Sequence, residues 1–332
     1  MPWRALDAGG ALDALSAFAR QHRLDEDDAP LALAFSGGAD STALLLAALQ
    51  CWGASRLCAL HVDHGLQADS AHFVDHARAL CVRWGVALEV LRVEVGARRG
   101  DSVEERARDA RYAALTAAAR RAGCGWLLTG HQADDQVETV LLALLRGAGP
   151  KGLAAMPQAA ERGGIRLGRP LLACRAAELR EWLDAQRVPY LRDAMNADPT
   201  WRRSRIRHEL LPVLERLEPA YTRTIARSAR LCAQSADAVC ERAEAELAAC
   251  GDAHGGLQLA RLRELPTARA AEVLRAWLAA RGVRCSAAQI NELCRQIARS
   301  AHGAARLRVR VGPRDEVWRD GQSLRCSASS CL

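Results

Sequence analysis

Lysine is nearly missing from this chain: of its 46 basic residues only Lys151 is a lysine, and the rest are arginines. That one lysine lies far from the Gly37-Gly38 turn, so a phosphate loop ending in Gly-Lys is ruled out there, and the turn itself carries no GxGxxG for a dinucleotide. No uninterrupted apolar run approaches the roughly 18 residues of a membrane span. The charged start MPWRALDAGGALDALSAFARQHRLDEDD has neither a secretory apolar region nor a cleavage-like end, so no membrane partner and a cytoplasmic location are expected. The twelve cysteines contain no CxxC pair, which sets aside a disulfide framework; most are expected as small buried hydrophobes. His72 and His76 stand at helical i,i+4 spacing, but no HExxH or Cys/His knuckle accompanies them, and no structural metal is expected.

What is present suits a soluble globular protein of 332 residues, 50% hydrophobic and 26% charged, long enough for two or three domains. The net charge of +7 rests on arginine, whose planar guanidinium takes phosphate in a bidentate grip. That balance admits a nucleic-acid partner without requiring one.

LALAFSGGADSTALLLAA, residues 31 to 48, passes from a strand-like run through two glycines into a helix-like run. Backbone N–H groups at such a helix start lack partners and carry the positive end of the helix dipole, so a bare glycine turn flanked by hydroxyls suits a phosphate. A plain strand-to-helix turn capped by Ser36 or Ser41 is the competing account. Strand-like runs recur at 56–66, 87–95 and 126–131, separated by helical patterns at 70–84 and 101–123, the second opening with Ser102 and Glu105 in capping-box spacing and ending at Gly123. Four strands alternating with helices predict an α/β fold with a doubly wound parallel sheet. In such sheets ligands sit beyond the carboxyl ends of the strands. SGGADS, HVDHG and TGHQADDQ each follow an apolar strand, so three elements are expected to converge on one crevice.

Beyond residue 150 the texture changes. KGLAAMPQAAERGGIRLGRPLLAC is rich in Gly and Pro, WRRSRIRHELLPVLERL carries an arginine cluster ahead of a helical stripe, and residues 220 to 247 read as one long helix. Further helices follow up to residue 300, then a tail that alternates like a β-hairpin around GPRDE. The domains predicted are a catalytic domain over 1–217, a connecting helix over 218–250 and a mainly helical domain over 251–332.

SGGADS resembles the SGGxDS pyrophosphate loop of the ATP pyrophosphatases, and the ordered series SGGADS, HVDHG, ERARDARY, TGHQADDQVET, RGAGPKGLAAMP, RPLL and RSRIRHELLP resembles the tRNA(Ile)-lysidine synthetases from residue 31 to about 217. The resemblance implies a PP-loop catalytic domain followed by a helical tRNA-recognition domain. It implies a ligase that adenylates C2 of wobble cytidine 34 in a CAU-anticodon tRNA(Ile) with ATP. Free lysine then displaces AMP, leaving lysidine and pyrophosphate. A homodimer is among the partners considered. A tRNA thiolase of the same superfamily is the nearest alternative, though such relatives typically use cysteine pairs; a tRNA-binding relic without catalysis is the other.

For ATP, the residues expected are Ser36, Gly37, Gly38, Ala39, Asp40, Ser41 and Thr42, with Asp63 and His64 on the nucleotide side; His61 is expected to be packed. Asp40 beside phosphates calls for Mg²⁺ as mediator, with a helix-cap role as the bland account. Adjacent Asp134 and Asp135 diverge by about 100° on a helix. Asp135, with Glu138 three residues on, is expected to face the lysine amine or a metal, while Asp134 is left open between dipole and function. His131 is expected at the nucleotide or α-phosphate, Arg111 at phosphate or substrate, Arg203 at the lysine or substrate and Arg205 as a catalytic residue, the arginines of the 202–207 cluster serving either the α-phosphate or tRNA phosphates. The chain departs from the family at Gln132, where a second histidine is usual, at Ser204, where asparagine is usual, and at Asp193-Ala194-Met195-Asn196, where the pattern is D-x-S-N.

Overall fold

In the computed structural model, which describes residues 10–26, 28–63, 70–93, 103–192, 202–283, 285–300, 307–312 and 315–327, strand β1 (Leu31–Ala34) lies inside a six-stranded sheet. Its side chains alternate between two apolar layers, as the period of two requires. Leu31, Leu33 and Phe35 join one layer, and Ala32 with Ala34 the other. α1 (Ala11–His22) precedes it and α2 (Ala39–Trp52) follows it on the first face. Eight consecutive residues of α2, Ser41 to Ala48, are buried. A helix this apolar all round has to be covered on every side.

β2 (Leu57–Asp63), α3 (Ser70–Trp84), β3 (Ala87–Arg92), α4 (Val103–Arg121) and β4 (Trp126–Leu128) complete the alternation expected from the sequence. β1 pairs in parallel with β2 on one side, Leu31 opposite Leu57, and with β4 on the other, Leu31 opposite Trp126. α3 packs with α1 and α2, whereas α4 covers the opposite face through Tyr112, Leu115, Ala118 and Ala119. The Ser102 capping box falls outside the described residues, but Gly123 ends this segment with φ 69°.

The stretch after 150 holds more strand than its Gly and Pro content suggested. After α5 (Ala133–Leu145) and the short α6 (Pro150–Leu153), β5 (Ala159–Arg162) and β6 (Ile165–Gly168) form an antiparallel hairpin turned by Gly163-Gly164. β6 then pairs in parallel with β4, giving the order β3-β2-β1-β4-β6-β5. α7 (Ala176–Ala185) returns to the face of α1 and α2. α8 (Arg202–Arg205) and α9 (Leu211–Leu217) are joined by a π-helical turn over Ile206–Leu210.

α10 (Tyr221–Cys250) is the long helix expected. The chain divides into two compact units, one ending at Leu231 and one beginning at Cys232, so the division falls inside that helix. The second unit has its own core, in which Trp277, Leu274, Leu293 and Ile290 are buried. There β7 (Leu257–Gln258), α11 (Leu259–Glu264), α12 (Thr267–Ala279) and α13 (Ala287–Arg299) precede β8 (Arg308–Arg310), β9 (Glu316–Asp320) and β10 (Ser323–Cys326). The tail makes two antiparallel connections in a four-stranded sheet of order β7-β10-β9-β8, where the sequence suggested one hairpin.

Because Leu45 is wholly buried within α2, Leu45→Ala is expected to lower unfolding free energy by about 2–5 kcal/mol. Urea denaturation with an unchanged m-value measures this; a loss below about 1 kcal/mol would mean that α2 is not the covered centre of this unit.

Candidate active site

The strand order reverses between β1 and β4, because the chain proceeds from β1 outward to β2 and β3 and then returns to β4 on the other side. Such a switch point opens a crevice beyond the carboxyl ends of the two strands. Here the crevice is drawn tight at Gly130: a β-carbon on it would lie 2.8 Å from the Asp40 carbonyl oxygen and 3.0 Å from the Ser41 nitrogen. Only glycine lets the loop after β4 touch the start of α2 in this way. Gly37, with φ 82°, turns the chain out of β1, and its carbonyl accepts from the Leu191 N–H at 2.9 Å. Ser41 Oγ closes the turn, donating to the Gly38 carbonyl at 3.0 Å and lying 3.0 Å from Ser36 Oγ. Thr42 Oγ1 is buried without a hydrogen-bond partner among the described residues.

α5 brings the carboxylates. Gln132 caps it: its side-chain oxygen accepts from the Asp134 N–H at 2.5 Å, and Asp135 Oδ2 accepts from the Gln132 N–H at 3.2 Å. One turn later Glu138 is 0% exposed, which a carboxylate tolerates only with partners. Arg207 supplies them, donating from Nε at 2.7 Å and from Nη2 at 3.1 Å, while its Nη2 also lies 3.5 Å from Asp135 Oδ1. Arg203 Nε stands 3.9 Å from Glu138 Oε2, and its Nη2 donates to Thr139 Oγ1 at 3.2 Å. Burial, followed by the like charge of Asp135, pushes the Asp40 carboxyl up to about 7. Burial also raises Asp135 and Glu138, with Arg207 opposing the rise in both.

Arginines gather around His131. Its Nδ1 shares a 2.8 Å hydrogen bond with Thr129 Oγ1. Burial, followed by Arg169, Arg108, Arg111 and Arg203, drives its imidazole down to about 3, so the ring is neutral at physiological pH. The Tyr112 ring holds three guanidinium groups, Arg162 at 4.2 Å, Arg108 at 5.4 Å and Arg111 at 5.8 Å. Arg169 donates to the Pro157 carbonyl at 2.7 Å. One crevice therefore carries carboxylates clustered on Arg207 and arginines clustered on a neutral histidine.

Of the residues expected from sequence, Asp40, Asp135, Glu138, His131, Arg111 and Arg203 meet in these two clusters, beside the loop of Ser36, Gly37, Gly38, Ala39, Ser41 and Thr42. Arg205 does not. It faces outward in an exposed i,i+4 pair with Glu209 at 3.1 Å, because the helical register turns it away from the carboxylates that Arg203 and Arg207 reach. Asp63 ends β2, with its carbonyl bonded to Val93 N–H at 3.0 Å; His64 lies outside the described residues. His61 is packed as expected, its Nδ1 2.9 Å from the Phe35 carbonyl oxygen. The segment around Asp193-Ala194-Met195-Asn196 also lies outside the described residues.

Sequence reasoning did not single out Arg207 from the 202–207 arginine cluster, and it missed Arg169, Gly130 and the use made of Asp134. Asp134 Oδ1 accepts from the Tyr221 hydroxyl at 2.8 Å and Oδ2 from the Ala176 N–H at 3.0 Å, tying the start of α5 to the first residues of α7 and α10. Burial and that bond hold the Tyr221 hydroxyl up to about 12, keeping it a donor. His76, whose Cδ2 is 3.3 Å from where a Gly37 β-carbon would stand, flanks the glycine loop and was legible only as half of an i,i+4 histidine pair. Among the described residues no three His, Cys, Asp or Glu side chains form a metal-holding group. Asp40 alone suits a cation shared with bound phosphates.

Comparison with known proteins gives matches along both units. A PP-loop domain model matches residues 12–214, and a TilS substrate binding domain model matches residues 257–325. The tRNA(Ile)-lysidine synthase of Polaromonas naphthalenivorans is 43% identical over 295 residues, covering 89% of this chain and 88% of its own. That of Salinispora tropica is 44% identical over 288 residues, covering 80% and 82%. That of Shigella flexneri is 41% identical over 252 residues, covering 74% of this chain but only 57% of its own length. In fold, the U34-tRNA thiolase NcsA of Methanococcus maripaludis superposes with TM-score 0.53 at 18% identity, over 66% of this chain and 80% of that one.

Two substitutions test the site geometry. The folded-state pKa of Asp40 exceeds its ordinary value of 3.8, so the folded protein binds the extra proton and stability falls as pH rises from about 4 through 7. Asp40→Asn is expected to raise stability at pH 8 by on the order of 1–3 kcal/mol and to change it little at pH 4, read by thermal melts at the two pH values; equal effects at both would contradict the raised pKa. Tyr221→Phe is expected to cost about 1 kcal/mol by removing the hydroxyl that Asp134 accepts from, as urea denaturation would record.

Proposed function

This chain belongs to the tRNA(Ile)-lysidine synthase family, and from that membership we infer that it joins lysine to C2 of the wobble cytidine of a CAU-anticodon tRNA(Ile), using ATP and releasing AMP and pyrophosphate. The single observation that carries the reading beyond family likeness is the separation of charge in one crevice. A ligation of a cationic amine to a base activated by an anionic phosphate needs a carboxylate pocket and an arginine pocket side by side. Asp40, Asp135 and Glu138 around Arg207 supply the first; Arg108, Arg111, Arg169 and Arg203 around His131 supply the second.

In this reading the loop from Ser36 to Thr42 takes the pyrophosphate end of ATP on the backbone N–H groups that open α2, with the Ser36, Ser41 and Thr42 hydroxyls as further donors. Asp63 and His64 are assigned to the nucleotide. Arg111 and Arg203 offset the charge that grows on the α-phosphate as the cytosine oxygen attacks, and the neutral His131 donates or accepts a hydrogen bond there without adding charge. Asp135 receives the lysine amine; burial has raised its carboxyl, which brings its proton affinity closer to that needed to take a proton from the attacking nitrogen. Glu138, fully paired with Arg207, acts by fixing that guanidinium beside Asp135. Mg²⁺ would be held by Asp40 together with the phosphates, where it neutralises their charge.

The PP-loop domain and connecting helix are assigned to residues 1–217 and 218–250, and residues 251–332 to tRNA recognition, for which the substrate binding domain match at 257–325 is the support. A cytoplasmic location and a homodimer belong to the same proposal. Against a thiolase stands the lack of any CxxC pair.

The test is mass spectrometry of a CAU-anticodon tRNA(Ile) transcript after incubation with the protein, ATP, Mg²⁺ and lysine. One lysyl addition at the wobble cytidine, dependent on ATP, is expected. Asp40→Ala and Asp135→Ala are each expected to reduce it to background while tRNA binding persists. No addition by a folded, ATP-binding wild-type protein would overturn the assignment.

A further inference from the structure

The first ten residues of α10 separate their surfaces cleanly. Tyr221, Thr222 and Ala229 are buried, with Ile225 packed beside them, and these four positions fall on one stripe at 100° per residue. Arg223, Arg227 and Arg230, at i, i+4 and i+7, fall on the opposite stripe and are exposed. Among the described residues none of the three has a carboxylate within ion-pair distance. The first unit's part of α10, Tyr221 to Leu231, contains no acidic residue, whereas Asp237, Glu241, Glu244 and Glu246 follow further along the same helix.

This sorting runs against helix stability. The amino end of a helix carries the positive end of the dipole and favours carboxylates, so an arginine in the first turn is placed where the backbone repels it. Arginines there add to the field of the helix end instead of cancelling it. The row spans about 10 Å along the axis, and it starts two residues after Tyr221, whose hydroxyl is bonded to Asp134, next in sequence to Asp135.

We propose that Arg223, Arg227 and Arg230 form a binding face for the RNA backbone, gripping phosphates of the tRNA whose wobble base enters the crevice beside Asp135. The face rests on the function proposed above for its choice of RNA. Guanidinium groups on successive turns of one helix meet phosphates as positioning contacts and read no bases. Each phosphate neutralised releases counterions, so the contribution is salt-dependent in a countable way.

The experiment compares wild type with the triple variant Arg223→Gln, Arg227→Gln, Arg230→Gln and with the corresponding triple lysine variant. Binding of a CAU-anticodon tRNA(Ile) transcript is measured across a salt series, with lysidine formation and thermal melts alongside. The glutamine variant is expected to fold as wild type, to bind tRNA about tenfold or more weakly, and to lose about 2–3 from the slope of log affinity against log salt. KM for tRNA rises while KM for ATP stays. The lysine variant recovers most of the affinity. Wild-type affinity and slope in the glutamine variant would overturn the binding face and leave the proposed reaction standing. A wild-type protein that binds the tRNA with a row-dependent slope but makes no lysidine would support the face and overturn the reaction. A wild-type protein that binds no tRNA would overturn both.

Discussion

The contact between Gly130 and the backbone of Asp40 is the constraint from which the rest of the site follows. A β-carbon at 130 would stand 2.8 Å from the Asp40 carbonyl oxygen, well inside the separation that non-bonded carbon and oxygen accept. The loops after β1 and β4 can therefore meet only with glycine at this position. Their meeting brings the amino ends of α2 and α5 to one place, and with them Asp40 and Asp135. Both helices point their positive ends into the same crevice, which favours anionic groups there, first the chain's own carboxylates and then a ligand's phosphates.

Bringing carboxylates together under cover has an electrostatic cost, and Arg207 carries most of the compensation. It pairs with the fully buried Glu138 through two nitrogens and leans on Asp135 at 3.5 Å. Removing one member of such a pair leaves a buried charge without a partner, typically a loss of about 3–5 kcal/mol. What Arg207 does not fully offset is the charge of Asp40, whose carboxyl rises to about 7. A site that holds a carboxylate above its ordinary range gains when a cation or an amine arrives, because the ligand's charge relieves the crowding. The carboxylates thus favour a cationic group, and the neutral His131 among arginines favours an anionic one.

Much of this was legible in the sequence because strand–loop–helix junctions are local. SGGADS, HVDHG and TGHQADDQ each announce a strand end, and the rule that ligands gather there places Asp40, His131 and Asp135 together from sequence alone. The hairpin β5–β6 was not legible, since Gly163-Gly164 reads equally as loop and its strands are only four residues each. The arginine cluster at 202–207 announced basic character but not register. Arg203 and Arg207, four residues apart, share the face that meets the carboxylates, while Arg205 lies about 200° round the helix from Arg203 and pairs with Glu209. Asp134 stayed ambiguous for a related reason: its partners, Tyr221 and Ala176, are 87 and 42 residues away, beyond anything a local pattern reports.

Gln132, where the family resemblance leads to the expectation of a second histidine, makes the cap of α5. Its side chain is buried at 3% exposure, and its oxygen takes the Asp134 N–H at 2.5 Å while its own N–H goes to Asp135. The position therefore performs a cap, satisfying amides at a helix start that would otherwise lack partners. A cap needs an acceptor within reach of the second or third helical N–H, and an imidazole nitrogen meets that need as an amide oxygen does. The amide adds no titratable group beside the carboxylates, whereas a histidine here could bring a second imidazole to a centre already holding His131. The exchange preserves the backbone geometry that aims Asp135 and leaves the electrostatic balance to Arg207 and the arginines around His131.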